Sequence, residues 1–131
     1  MIGRHLLIDF HEVSAERLDD AALLSRLLAE AARCGGLTPL GPPVLHRFAG
    51  GGLTGYLLLS ESHIAVHTYP ELGFAALDIF ACGAGDPSAA LDVLRTGLAP
   101  GRERVTTATR GQGLDGRVSS PPVPDEAGSL P

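Results

Sequence analysis

Residues 55–82 read GYLLLSESHIAVHTYPELGFAALDIFAC, and their patterning decides the fold. Gly55–Ser60 and His63–Tyr69 are short runs of strand-forming residues, separated only by the step Glu61-Ser62. Pro70-Glu71-Leu72-Gly73 has the composition of a turn. Beyond it Phe74–Ala81 alternates, with Phe74, Ala76, Asp78 and Phe80 on one side and Ala75, Leu77, Ile79 and Ala81 on the other. Strands joined by such short links pair antiparallel, because a parallel crossover needs a dozen or more residues.

The same reading extends in both directions. Upstream, Val44–Phe48 is a short strand and Ala49-Gly50-Gly51-Gly52 a turn. No Gly-Lys-Ser/Thr follows those glycines, so they do not form a phosphate loop. Leu37–Pro43 is a Pro- and Gly-containing connector, and Arg4–Phe10 alternates as a strand. Ser14 offers an N-cap to a helix carrying Leu18, Ala21, Ala22, Leu24, Leu27, Leu28, Ala31 and Ala32, which Cys34-Gly35-Gly36 ends. Downstream, Asp86-Pro87 starts a second helix with Ala90, Leu91, Leu94 and Leu98 on its apolar face, and Arg104–Thr109 is a last strand. The expected fold is therefore α+β: a two-layer sandwich of a mainly antiparallel sheet with two helices on one face. The other face is left for a partner, which points to a homodimer. Residues 1–110 form the expected domain, and 111–131, rich in Gly, Pro, Ser and acidic residues, an expected disordered tail.

Composition removes several classes of function. The 131 residues carry a net charge of −5 with no basic block, which argues against a nucleic-acid partner. No apolar run approaches the ~20 residues of a membrane span, and the N-terminus lacks a secretory layout, so a cytoplasmic protein is expected. Cys34 and Cys82 are then free thiols. All ten basic residues are arginine. A pyridoxal-phosphate enzyme holds its cofactor through a lysine, so this chain alone cannot be one.

Two ordinary readings apply to the serine and histidines of residues 60–71. His63 and His67 could share a metal, but four residues of strand span roughly 13 Å, too far for one Zn²⁺, so no metal is expected. Ser62 lacks the Gly-x-Ser-x-Gly elbow of a hydrolase. Ser62, His67 and Cys82 would otherwise be polar residues of a sheet.

Larger motifs carry more. Glu61-Ser62-His63, His67-Thr68-Tyr69-Pro70-Glu71 and Ala76-Leu77-Asp78-Ile79-Phe80-Ala81-Cys82-Gly83 together resemble the short prokaryotic S-adenosylmethionine decarboxylase proenzymes. Gly3-Arg4-His5 and His46-Arg47-Phe48 match as well, so the resemblance runs from about residue 3 to 111. It implies self-cleavage at Glu61-Ser62 into chains 1–61 and 62–131, with Ser62 converted to a pyruvoyl cofactor. It assigns the processing base to His67 and the proton donor of the decarboxylation to Cys82. A pyruvoyl ketone forming a Schiff base with the substrate amine fits the missing lysine. Phe48 and His67 resemble the pair that sandwiches adenine, Glu71 the carboxylate on the ribose, and Tyr69 stands beside them where tryptophan is common. Thr54 occupies the place of a serine that supports processing, and Thr109-Arg110-Gly111 replaces a more usual Glu-Arg-Gly. The implied function is decarboxylation of S-adenosylmethionine for spermidine synthesis. The alternatives are the same chemistry on arginine or ornithine, and an unprocessed regulatory relative.

Overall fold

A computed structural model describes residues 2–114. Six strands, β1 (Gly3–His11), β2 (Val44–Arg47), β3 (Leu53–Leu59), β4 (Ser62–Tyr69), β5 (Phe74–Cys82) and β6 (Arg102–Arg110), form one sheet. Their order is β2-β3-β4-β5-β1-β6, and every neighbouring pair is antiparallel. The N-terminal strand lies between β5 and β6, so the sheet's interior is closed by the first residues of the chain. The expected two-layer α+β architecture is what the structure has.

Alternation sets the two faces. Leu6, Ile8 and Phe10 of β1, Leu53, Leu57 and Leu59 of β3, Ile64 and Val66 of β4, and Leu77 and Ile79 of β5 are buried. They form one core with Leu24, Leu27 and Leu28, and with Leu91, Leu94 and Leu98. Those six leucines come from α2 (Ala21–Cys34) and α3 (Pro87–Leu98), both on the same face of the sheet. Asp86 caps α3 by accepting from the Ser88 and Ala89 amides at 3.0 and 3.3 Å.

The structure departs from the sequence reading where one helix was expected after Ser14. It has two, α1 (Ala15–Leu18) and α2. Asp20 competes with helix continuation: its Oδ1 accepts from the Leu23 amide at 3.0 Å and restarts the helix as a new N-cap. The carbonyl of Leu18 is drawn away at the same point, accepting from Thr68 Oγ1 at 2.7 Å. Among the described residues three helices result, together with a single 3-10 turn at Pro70–Leu72 closed by Gly73 in the left-handed region.

The Leu37–Pro43 connector also does more than connect. Leu40 N–H donates to Leu58 O at 3.0 Å and Ser60 N–H to Thr38 O at 2.8 Å, so it prolongs the pairing along β3 beyond the end of β2. This brings Thr38 beside Glu61. Strand limits differ from expectation by one or two residues, most at β3 and β6. The expected tail falls mostly outside the described residues.

Candidate functional site

The chemistry-bearing residues fall in two clusters at opposite ends of β4, with His5, His63, His67 and Asp78 on the face of the sheet away from the helices. The first surrounds the Glu61-Ser62 bond. The Glu61 carboxylate is clamped by Thr38, accepting from its amide at 2.9 Å and from its hydroxyl at 3.1 Å. The Thr38 amide hydrogen bond holds this carboxyl below the usual carboxylate range, against a smaller opposing effect of desolvation. The Glu61 carbonyl oxygen accepts from the Cys82 amide at 3.3 Å. Ser62 itself has φ +154°, a value that L-residues rarely adopt. Such backbone strain costs of order 1–3 kcal/mol and persists only where surrounding contacts enforce it. Here the enforcing contacts are the Thr38 clamp on one side and the pairing of Ser62 with Leu59 and Ala81 on the other.

Cys82 ends β5 directly opposite Gly3 of β1. Only glycine fits at that position, because a Cβ there would lie 2.6 Å from the Ala81 carbonyl oxygen and 3.1 Å from Cys82 Sγ. Cys82 is a partly exposed free thiol.

The register then adds a group that sequence reasoning quoted only in pieces. Ser62 Oγ lies 3.3 Å from His63 Nδ1, and His63 Nε2 lies 2.7 Å from Asp78 Oδ2. The same carboxylate oxygen meets His5 Nε2 at 2.8 Å, and Arg110 Nη1 donates to His5 Nδ1 at 3.1 Å. Arginine cannot accept, so His5 Nδ1 is the acceptor and His5 Nε2–H donates to Asp78. His63 Nε2–H donates to Asp78 likewise, which leaves His63 Nδ1 unprotonated and facing the serine hydroxyl; these tautomers are assigned from the partners. Tyr56 stacks on His63 with ring centroids 5.9 Å apart, and Phe80 packs on His5 at 5.0 Å. His5, His63 and Asp78 present three ligand-type atoms within 4.8 Å of one another. Both imidazoles address Asp78 at hydrogen-bond distance, as two donors on one carboxylate oxygen.

The second cluster lines a cavity of about 400 Å³ at the other end of β4, formed by Phe48, Thr54, His67, Tyr69 and Glu71 among others. Thr54 sits opposite His67 in the β3–β4 register, with Oγ1 3.3 Å from His67 Nδ1. Between His67 and Tyr69, the buried Thr68 turns the other way, accepting from the Leu53 amide at 2.8 Å and donating to Leu18 O. Gly52, at φ +99°, passes so near that a Cβ would lie 2.7 Å from Thr68 O. A more open hollow of about 700 Å³ lies elsewhere, beside Asp19, Asp20 and Arg47, and contains no nucleophile.

The expected site residues therefore fall into two groups. Glu61, Ser62 and Cys82 come together at one end; Phe48, Thr54, His67, Tyr69 and Glu71 come together at the other. Ser62 and His67 are five residues apart on one extended strand, roughly 17 Å. Within a single chain they do not meet.

A protein-family model described as S-adenosylmethionine decarboxylase matches residues 4–111. The chain belongs to the S-adenosylmethionine decarboxylase family. Among curated relatives of this family, the S-adenosylmethionine decarboxylase proenzyme of Symbiobacterium thermophilum is 45% identical over 97 residues, 73% of either chain. The proenzyme of the same name from Brevibacillus brevis is 42% identical over 112 residues, covering 85% of this chain and 84% of its own. That from Thermotoga maritima is 38% identical over 112 residues, 85% of each. The crystal structure of the adenosylmethionine decarboxylase from Aquifex aeolicus superposes with a TM-score of 0.76 at 36% identity, covering 84% of this chain and 91% of that one. No helix among the described residues is long and apolar enough to cross a membrane.

Proposed function

We propose that this chain is the proenzyme of a pyruvoyl-dependent S-adenosylmethionine decarboxylase that cleaves itself between Glu61 and Ser62. The observation that carries the reading is the state of that bond. Its residue has a strained φ, its carbonyl is hydrogen-bonded by the Cys82 amide, and the side chain before it is clamped by Thr38. In cleavage the Ser62 hydroxyl attacks the Glu61 carbonyl carbon, the C–N bond breaks, and an ester with a free Ser62 amine results. Loss of the Ser62 Cα proton then expels the Glu61 carboxylate, and water replaces the nitrogen as ammonia. Only serine provides both the oxygen and the bare three-carbon skeleton. The pyruvoyl group supplies a carbonyl that condenses with the substrate amine and withdraws electrons as CO₂ leaves. Around it, this chain's residues bind the nucleoside and hold protons: Phe48 and His67 flank adenine, Glu71 receives the ribose hydroxyls, and Cys82 Sγ carries the proton returned to carbon.

The separation of the two clusters supports a site completed by a second copy. Sheets stack about 10 Å apart, and a two-fold axis between them running across the strands reverses their direction. The Ser62 end of one sheet then lies over the partner's His67 end, completing two sites. The covering face is apolar enough to be buried, with Leu7, Tyr56 and Leu58 exposed by 46%, 40% and 49% in the single chain. The processing base acting on the Ser62 Cα proton is then the partner's His67, and the working enzyme is a homodimer of cleaved protomers, a cytoplasmic catalyst supplying the aminopropyl donor for spermidine.

Intact mass spectrometry of the purified protein tests this. Two chains of masses corresponding to residues 1–61 and 62–131, the second without a free N-terminal amine, are expected. CO₂ release should occur from S-adenosylmethionine and not from arginine or ornithine. A single chain of full mass would defeat the proposal; release from arginine or ornithine instead would keep the chemistry and change the substrate.

A further inference from the structure

We propose that His63, oriented by Asp78, is the base for the first step of self-cleavage, the transfer of the Glu61 acyl group from Ser62 nitrogen to Ser62 oxygen. The inference rests on the self-cleavage reading above and adds the residues that begin it. Two features make a base necessary at this step. A serine hydroxyl is a weak nucleophile until its proton is taken, and the departing nitrogen must gain a proton to leave as an amine. One imidazole can do both in turn.

His63 is the group so placed. Its Nδ1 lies 3.3 Å from Ser62 Oγ, within hydrogen-bond reach. Its tautomer is fixed from behind, because Nε2–H is committed to Asp78 Oδ2 at 2.7 Å. Asp78 is itself held by His5, and His5 by Arg110, so the relay has a defined direction from β6 through β1 and β5 to β4. Base, orienting carboxylate and nucleophile follow the logic of a serine–histidine–aspartate set, here aimed at the chain's own backbone. The Cys82 amide, donating to Glu61 O, supplies a hydrogen bond where negative charge develops. His67 of the same chain, roughly 17 Å along β4, cannot take this proton.

The step balances within these atoms. The Ser62 Oγ proton moves to His63 Nδ1 as the Oγ–C bond to Glu61 forms, and the carbonyl electrons move onto oxygen against the Cys82 amide. Collapse re-forms the carbonyl and breaks the C–N bond, while the proton on His63 Nδ1 passes to the Ser62 nitrogen. No other reactant enters.

The test is a time course of cleavage in full-length chain made by cell-free translation, followed by mass. His63→Ala should slow cleavage by about 10²–10⁴-fold, the usual worth of a positioned acid–base group. Added imidazole should restore part of the rate. His63→Asn, which retains an N–H for Asp78 but no base, should also stay whole while unfolding at a temperature near that of Ser62→Ala. Asp78→Asn should slow cleavage by a smaller factor. Hydroxylamine, which splits esters, should not cut His63→Ala at residue 61. The proposal is overturned if folded His63→Asn cleaves at the native rate, if imidazole gives no rescue of folded His63→Ala, or if hydroxylamine cuts that variant at Glu61-Ser62. The last result would mean that the ester forms without His63. Cleavage of Ser62→Ala at the same bond would instead sink the self-cleavage reading itself.

Discussion

Replacing Thr68 by valine keeps the shape of a buried side chain and removes one oxygen. That oxygen accepts from the Leu53 amide at 2.8 Å and donates to the Leu18 carbonyl at 2.7 Å, in a side chain only 4% exposed. Its second carbonyl contact, to Leu53 O at 3.4 Å, is too long to share the proton on equal terms. Thr68→Val thus strands one amide and one carbonyl in a dry interior. Each stranded group costs about 1–3 kcal/mol, and partial relaxation of the α1 end brings the sum to about 2–4 kcal/mol. With a urea slope of about 1.5 kcal/mol/M, a loss of about 3 kcal/mol lowers the unfolding midpoint by about 2 M. The measurement is urea unfolding at fixed protein concentration in a Ser62→Ala background, where the chain stays whole. Thr68→Ser, which keeps both hydrogen bonds and loses one methyl, should cost only about 1 kcal/mol. If Thr68→Val is as stable as Thr68→Ser, the two hydrogen bonds do not tie α1 and β3 to β4 as described. Since Thr68 separates His67 from Tyr69, the valine variant in the otherwise native chain should also raise KM more than it lowers kcat.

The remaining expectations concern the two clusters and the fold's edge. Phe48→Ala and Glu71→Gln should each raise KM for S-adenosylmethionine by about tenfold or more, the value of roughly 1.4 kcal/mol in binding, without stopping cleavage at residue 61; steady-state CO₂ release and intact mass read the two effects separately. Cys82→Ala retains the backbone amide at Glu61 O but loses the thiol, so cleavage should continue while turnover falls steeply; an uncleaved variant would mean that the thiol itself acts in processing. On the surface, Arg95 of α3 holds Glu103 of β6 through two hydrogen bonds of 2.5 and 2.7 Å. The Arg95 hydrogen bond lowers the Glu103 pKa, so the folded state gains stability that is present above the ordinary carboxylate pKa and is lost as pH falls through the lowered folded value. Because Arg95 is 40% exposed, Glu103→Gln should cost only about 0.5–1 kcal/mol at pH 7, and that difference should vanish in acid denaturation curves.

Much of this protein is local and therefore legible in the residues. Period-two alternation in β1 and β5, the Asp86-Pro87 helix start and the turn at Pro70–Gly73 are properties of a few neighbouring residues, and each stands within a residue or so of where the sequence places it. The helix break at Asp19-Asp20 is different. Its apolar spacing is continuous; the Asp20 carboxylate caps a new helix at Leu23, and the Leu18 carbonyl's bond to Thr68, fifty residues away, draws the first helix off. Thr38 was unremarkable in a connector until pairing beside β3 set it against Glu61.

The motif residues show the same division. Sequence alone determined which side chains are present: a serine after glutamate, a cysteine before glycine, histidines at 63 and 67, and no lysine anywhere. Tertiary structure decided which of them meet. Strand rise separates Ser62 from His67, although five positions look close on paper. Antiparallel register joins Ser62 to residues far away in the chain, placing Ala81 across from it and Cys82 beside the bond it shares with Glu61. The His5–Asp78–His63 relay exists only because β1 and β4 both flank β5, so that three alternating patterns put their polar members on one face at one height. Spacing along a chain fixes the face a side chain takes; strand order and register fix its neighbours.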